Sequence, residues 1–187
     1  MSDRREELLD AATLWAFEHG LAELSLRPLA KALGTSDRML IYYFDSKDEL
    51  VVEIAGRAAD LLVAGLPEID PDRPPRSAKA WLDACWERYG DPASRPALSL
   101  LFEIDASGTR SPGHLRDAAR TVAERWSDSV DRALAALGVP ARSRTGLTPV
   151  LGAALVGLAI EALLDDEPAR PGPALATLAR LVDGERR

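Results

Sequence analysis

The stretch Ser25–Leu50, reading SLRPLAKALGTSDRMLIYYFDSKDEL, constrains the fold of this chain more than any other part of it. Ser25 stands where a helix N-cap belongs, and Pro28 falls in the first turn, where a missing N–H costs little. Gly34 stops that helix after about Leu33. Thr35 or Ser36 caps a second short helix over about 36–44. Ser46-Lys47-Asp48-Glu49 then reads as a capping box opening a longer helix to about Gly65, with Glu49 reaching back to the cap N–H. Two helices this short are not stable alone, so they must dock on something apolar. The segment before them supplies it: a helix over about 4–19 carries Leu8, Ala12 and Trp15 at helical spacing, and Gly20 ends it as a left-handed cap. Leu29, Ala30 and Leu33 face inward from the first short helix, and Leu40 and Phe44 anchor the second from beneath. Ser36, Asp37, Arg38, Met39 and Tyr42 are left on its outer side. A short helix held in this way fits a DNA major groove, which is about 12 Å wide.

No later window shows strand alternation, so the expected fold class is all-α, with about nine helices. Two proline-rich breaks, Pro67–Pro75 and Glu167–Pro173, divide the remainder. Helices are expected over about 76–90, 94–107, 112–137, 146–165 and 173–184. Trp81, Cys85 and Tyr89 share one face of the first, and Leu175, Leu178 and Val182 are in register on the last. Leu147–Leu164 is nearly long and apolar enough to span a bilayer. It contains Thr148, Pro149 and Glu161 and lacks flanking basic anchors, so it reads as a helix buried in a protein interface, with no membrane partner.

Composition narrows the function class. The net charge is −7, which excludes a generic basic nucleic-acid coat but not a compact reading surface. Between Gly20 and Lys47, four basic residues oppose three acidic ones, a local +1 against −8 for the rest. Cys85 is the sole cysteine, so no intramolecular disulfide forms, as suits a reducing cytoplasm. With two histidines, no metal site is expected. The N-terminus MSDRREELLDAA has no apolar signal core, and a cytoplasmic location follows. No nucleophile elbow, phosphate loop or paired metal ligands is present, so no catalytic residues and no cofactor are assigned.

The segment from about Leu8 to Ile54 resembles the DNA-binding domain of the TetR (tetracycline-repressor-like) family. The resemblance lies in Leu9, Ala11, Ala12 and Trp15, then Gly20, Ser25-Leu26, Leu29-Ala30 and Leu33-Gly34. It continues through Ser36, Leu40, Tyr43-Phe44, Ser46-Lys47 and Glu49-Leu50. It implies a three-helix helix-turn-helix DNA-binding domain over 1–46 and a helical ligand-sensing and dimerisation domain over 47–187. It places Ser25 and Arg27 at phosphate-contact positions and Ser36, Asp37, Arg38 and Met39 at base-reading positions. Tyr42 and Tyr43 fall near bases and phosphates, and Lys47 at the DNA backbone. Many members carry tyrosine where this chain has Ile41, so that hydroxyl is absent. Arg38 is the expected specificity residue, because a bidentate pair with guanine contributes about 1–3 kcal/mol of discrimination. The resemblance further implies a homodimer through the last two helices, with reading helices about 34–36 Å apart on a palindromic double-stranded operator. It also implies a small-molecule effector site, for which Trp81, Cys85, Trp86, Phe102 and Trp126 are the wall candidates. Glu103, Asp105 and Glu161 are the acidic candidates. The implied function is a ligand-released repressor. An activator, or an all-helical interaction module, is the alternative.

Overall fold

The computed structural model describes residues 2–21, 24–64, 67, 77–110, 113–165 and 171–186. Most of both proline-rich breaks lies outside them. All regular structure among the described residues is helical, as expected: α1 (Ser2–His19), α2 (Leu26–Ala32), α3 (Asp37–Phe44), α4 (Lys47–Ala64), α5 (Ala78–Tyr89), a 3-10 turn (Pro92–Ser94), α6 (Arg95–Arg110), α7 (His114–Ala136), α8 (Ala141–Leu164) and α9 (Gly172–Glu185). They fall into two compact units, Met1–Leu62 with Pro96–Glu124, and Val63–Arg95 with Arg125–Arg187.

In the first unit, α2 and α3 pack on each other, and their short inner faces complete a core they could not make alone. Leu8, Ala12 and Ala16 of α1, Leu29 of α2, Leu40 and Phe44 of α3, and Leu50 and Ile54 of α4 are all buried. Trp15 is only half-buried, and its ring stacks on His19 at 4.3 Å. The buried stripe of α1 therefore runs through Leu9 and Ala16 rather than out to Trp15, because an indole at the stripe's edge keeps one face in solvent. Gly20 ends α1 with φ +74, and its N–H donates to the Ala16 carbonyl at 2.9 Å. The next N–H, of Leu21, donates to the Glu103 carboxylate of α6 at 2.9 Å.

In the second unit, α5 packs along α9. Ala78, Leu82 and Cys85 are buried on one, and Leu175, Leu178 and Val182 on the other. The backbone N–H of Ala78 donates to Asp183 at 3.3 Å, closing the α5 N-terminus onto α9. α8 begins five residues earlier than the expected start near 146 and carries Pro149 in its interior. Arg144 explains the early start: its guanidinium bonds Asp131 and the Val139 carbonyl, each at 3.0 Å, which pins the first turn. Pro149 is exposed, so the carbonyl it leaves without a helical partner can be hydrated. At the other end, Arg95 donates to the carbonyls of Leu163 and Asp165 at 2.9 and 3.0 Å, satisfying acceptors a helix C-terminus leaves open. By length and composition α8 passes as a membrane span, with a third of that window buried inside the fold. One face is buried through Leu151, Leu155 and Ala159, and the opposite face exposes Val150, Ala153, Gly157, Ile160 and Leu164.

Candidate nucleic-acid interface

The turn between α2 and α3 is built by backbone chemistry the sequence announces. Gly34 has φ +64. Its N–H donates to Lys31 at 3.3 Å, and that of Thr35 donates to Ala30 at 2.9 Å. This pair of nested bonds is a Schellman motif, which needs a left-handed residue where Gly34 stands. Ser36 then caps α3, its Oγ accepting from the Met39 N–H at 3.2 Å. The Asp37 carboxylate accepts from the backbone N–H of Arg38 at 3.0 Å rather than from its guanidinium. An acidic group here stabilises the positive end of the helix dipole, and the Arg38 side chain beside it is exposed.

The two faces of α3 differ sharply. Leu40 and Phe44 are fully buried, while Met39, Ile41 and Tyr42 are exposed, Tyr42 by 63%. A lone exposed apolar side chain is ordinary; here three stand on one two-turn helix beside the exposed Arg38. Tyr43 is half-buried, and its ring meets that of Tyr42 edge-on at 5.2 Å. Of the other sequence-assigned contacts, Ser25 and Arg27 are exposed at the start of α2, and Lys47 is exposed as the first residue of α4. Ser25 makes no side-chain cap bond. All nine assigned positions lie in the first unit, and the helix N-termini of α2 and α4 suit phosphate oxygens.

The capping box at Ser46 forms only by half. Its Oγ accepts from the Glu49 N–H at 3.0 Å, as expected. The Glu49 carboxylate, however, faces His114 Nδ1 at 3.5 Å. The Ser46 N–H it was expected to accept from is already taken, at 2.6 Å, by the Phe44 carbonyl. That bond closes a three-residue γ-turn around Asp45, whose φ of 60 and ψ of −43 are strained for a side-chain-bearing residue.

Arg5 is a participant that the sequence reading passed over. It lies on α1, and its Nε–H donates to the Tyr43 carbonyl at 3.2 Å. Its guanidinium sits 5.0 Å over the Phe44 ring and pairs with Glu53 of α4. The available clue was positional: Arg5 is one turn ahead of the buried Leu9, Ala12 and Ala16 on the same stripe.

The effector candidates divide between the units. Trp81, Cys85 and Trp86 are buried on α5, and Trp126 is half-buried on α7, all in the second unit. Trp126 meets Tyr89 edge-on at 5.8 Å and donates to the Gly152 carbonyl at 3.4 Å. The Trp81 Nε1–H is buried without a partner among the described residues. Burial pushes the Cys85 thiol up to about 12 and the Tyr89 hydroxyl upward as well. Phe102 is half-buried in the first unit. Of the acidic candidates, Glu103 is engaged by the end of α1. Asp105 is half-buried, which raises its carboxyl above the usual range. Glu161 is exposed on α8, so its surroundings are not the apolar ones expected from its neighbours in sequence. The helix turns it onto the outward face.

The family model described as bacterial regulatory proteins, tetR family, matches residues 8–54. The chain is 30% identical over 138 residues to the HTH-type nicotine-responsive transcriptional repressor HdnoR of Paenarthrobacter nicotinovorans, covering 72% of this chain and 69% of that one. Its fold is similar to that of the multidrug binding protein EbrR complexed with imidazole (TM-score 0.71, 28% identity, 97% of this chain and 90% of that one). It is also similar in fold to a TetR transcription regulator from Haloarcula marismortui ATCC 43049 (TM-score 0.74, 19% identity, 99% of both chains).

Proposed function

We propose that this chain, which belongs to the tetR family of bacterial regulatory proteins, is a cytoplasmic repressor that grips a palindromic operator as a homodimer and releases it when a small molecule binds. The observation that carries the proposal is the division of α3. Leu40 and Phe44 anchor it, and Arg38, Met39 and Tyr42 stand clear on the other side. In this reading residues 1–46 read DNA and 47–187 sense the effector and dimerise. Arg38 reads a base edge, with Ser36, Asp37 and Met39 beside it. Ser25, Arg27, Tyr42, Tyr43 and Lys47 meet phosphates and flanking bases.

The homodimer rests on α8. Its outward residues Val150, Ala153, Gly157, Ile160 and Leu164 recur at a spacing of three and four, an apolar stripe with small residues that permits close approach of a second helix. A two-fold dimer carries two reading helices, as a palindromic operator with two half-sites requires.

Effector release follows from differential affinity: a ligand that fits one conformer better shifts the population towards it. Trp81, Cys85, Trp86 and Trp126, all in the second unit, are the proposed walls. HdnoR is nicotine-responsive and EbrR was crystallised with imidazole. A nitrogen heterocycle is accordingly the effector class proposed here, since indole faces attract cationic rings.

Arg38→Ala and Lys47→Ala test the reading. Binding of the full-length protein to duplexes selected from a random pool is measured across a range of salt concentrations. Arg38→Ala lowers affinity for the selected sequence and relaxes its consensus. Lys47→Ala weakens binding to all sequences and reduces the salt slope by about 1. Unchanged affinity and consensus in Arg38→Ala refute the assignment of α3 as the reading helix.

A further inference from the structure

α3 has eight residues, too few for independent stability, and its last carbonyls have no partner within the helix. The burial of Leu40 and Phe44 sets its depth. Apolar burial is non-directional, however, and does not by itself stop a short helix from rolling about its axis or tilting at one end. Arg5 supplies directional contacts at that end. Its Nε–H donates to the Tyr43 carbonyl at 3.2 Å, its Cζ lies over the Phe44 ring 5.0 Å from the centroid, and its Nη2 pairs with Glu53. A second nitrogen lies 3.7 Å from Glu6 on its own helix. Three helices thus meet at one planar cation, all within the first unit.

We infer that Arg5 is a positioning residue for the reading helix, a bracket between α1, Glu53 of α4 and the C-terminal end of α3 that sets the angle at which Arg38 and Met39 are presented. The inference rests on the proposed role of α3 and adds to it a residue outside the DNA-facing set. The geometry calls for arginine. A planar fork donates to a carbonyl from one nitrogen and to a carboxylate from another while its carbon lies over a ring; a lysine ammonium, with all three donors on one nitrogen, cannot reach both partners from separate points or present a flat face to the ring. The bracket is separable from the attachment of α1 to α4. Arg57 of α4 holds Glu6 and also Asp10 of α1, the latter at 3.3 Å, without Arg5. Loss of Arg5 therefore frees the end of α3 while α1 and α4 stay joined.

The test compares the full-length protein with Arg5→Ala, Arg5→Lys and Glu53→Gln. Each is measured on a duplex selected by the unaltered protein and on a scrambled duplex, at several salt concentrations, with urea unfolding alongside. Arg5→Ala is expected to lose about tenfold in affinity for the selected duplex, the scale of one charge-assisted contact. Scrambled-duplex affinity and salt slope stay unchanged. Arg5→Lys recovers part of the loss. Glu53→Gln, which leaves Arg5 in place but weakens its anchor, shows a smaller loss of the same kind. A salt slope lower by about 1 would make Arg5 a phosphate contact and overturn the inference. Unchanged affinity for the selected duplex, full rescue by lysine, or equal losses on both duplexes that track the urea midpoint overturn it too. Failure of Arg38→Ala to lower selected-duplex affinity would instead remove the reading on which the inference rests.

Discussion

Gly20 and Glu103 form a contact whose energy can be worked out and then measured by a double-mutant cycle. Gly20 sits at φ +74, and a Cβ placed there lies 2.9 Å from Glu103 Oε2, the same oxygen that accepts the Leu21 N–H. Alanine at this position meets two penalties. The left-handed backbone costs about 1 kcal/mol or a little more for a residue with a side chain. The methyl group also displaces the carboxylate, which is the mobile end of its side chain, and with it a hydrogen bond to a charged acceptor of about 1.5–3 kcal/mol. Gly20→Ala should therefore destabilise by about 3 kcal/mol, and Glu103→Ala by about 2. In the Glu103→Ala background the clash is gone, so Gly20→Ala costs only the backbone part, about 1 kcal/mol. The predicted coupling is about 2 kcal/mol, well above the few tenths expected of independent sites. Urea unfolding of the four proteins, fitted with a common slope, reads it directly. If Gly20→Ala costs the same with and without the Glu103 carboxylate, the contact between the end of α1 and α6 contributes nothing and the reasoning fails.

Three further outcomes are expected. Val150→Asp with Ile160→Asp, on the exposed stripe of α8, should convert a dimer to monomer in sedimentation velocity without loss of helicity; a sedimentation coefficient that does not change rejects that face as the interface. Burial holds the Cys85 thiol up to about 12, well above its ordinary value of 9.0. The folded protein thus keeps a proton that the unfolded chain releases, so the stabilising difference is fully present below pH 9 and is lost as pH rises towards 12. Urea midpoints should fall across that window and fall less in Cys85→Ala, and the native thiol should resist a disulfide reagent at pH 8 until urea is added. Pro149→Ala restores an N–H inside α8 at an exposed position and should stabilise by about 1–3 kcal/mol. No gain in thermal midpoint would show that the missing N–H at Pro149 costs α8 nothing and refute this expectation.

Features set by neighbours in the chain were legible in the residues alone. Gly20 and Gly34 carry left-handed backbone where helices end, Ser36 and Ser46 cap the helices after them, and Leu40 and Phe44 share one face of α3. Each depends on bonds or spacings within about four residues, and helical periodicity and capping chemistry are defined on that scale. The outward set on α3 was legible for the same reason, as the complement of its buried face.

What lay beyond the sequence involves partners far apart along it. Arg5 reaches the Tyr43 carbonyl across 38 positions, and Glu103 reaches Leu21 across 82. The Glu49 side chain turns to His114 because a γ-turn at Asp45 has already taken the N–H it was expected to cap. Glu161 sits in an apolar run of sequence yet faces outward, because helix rotation and not composition decides exposure. Local pattern therefore determined which helices form and which sides of them are apolar. Only packing decided where long polar side chains end, since a flexible arginine or glutamate has many reachable partners and the choice among them is made by whatever the fold brings within bonding distance.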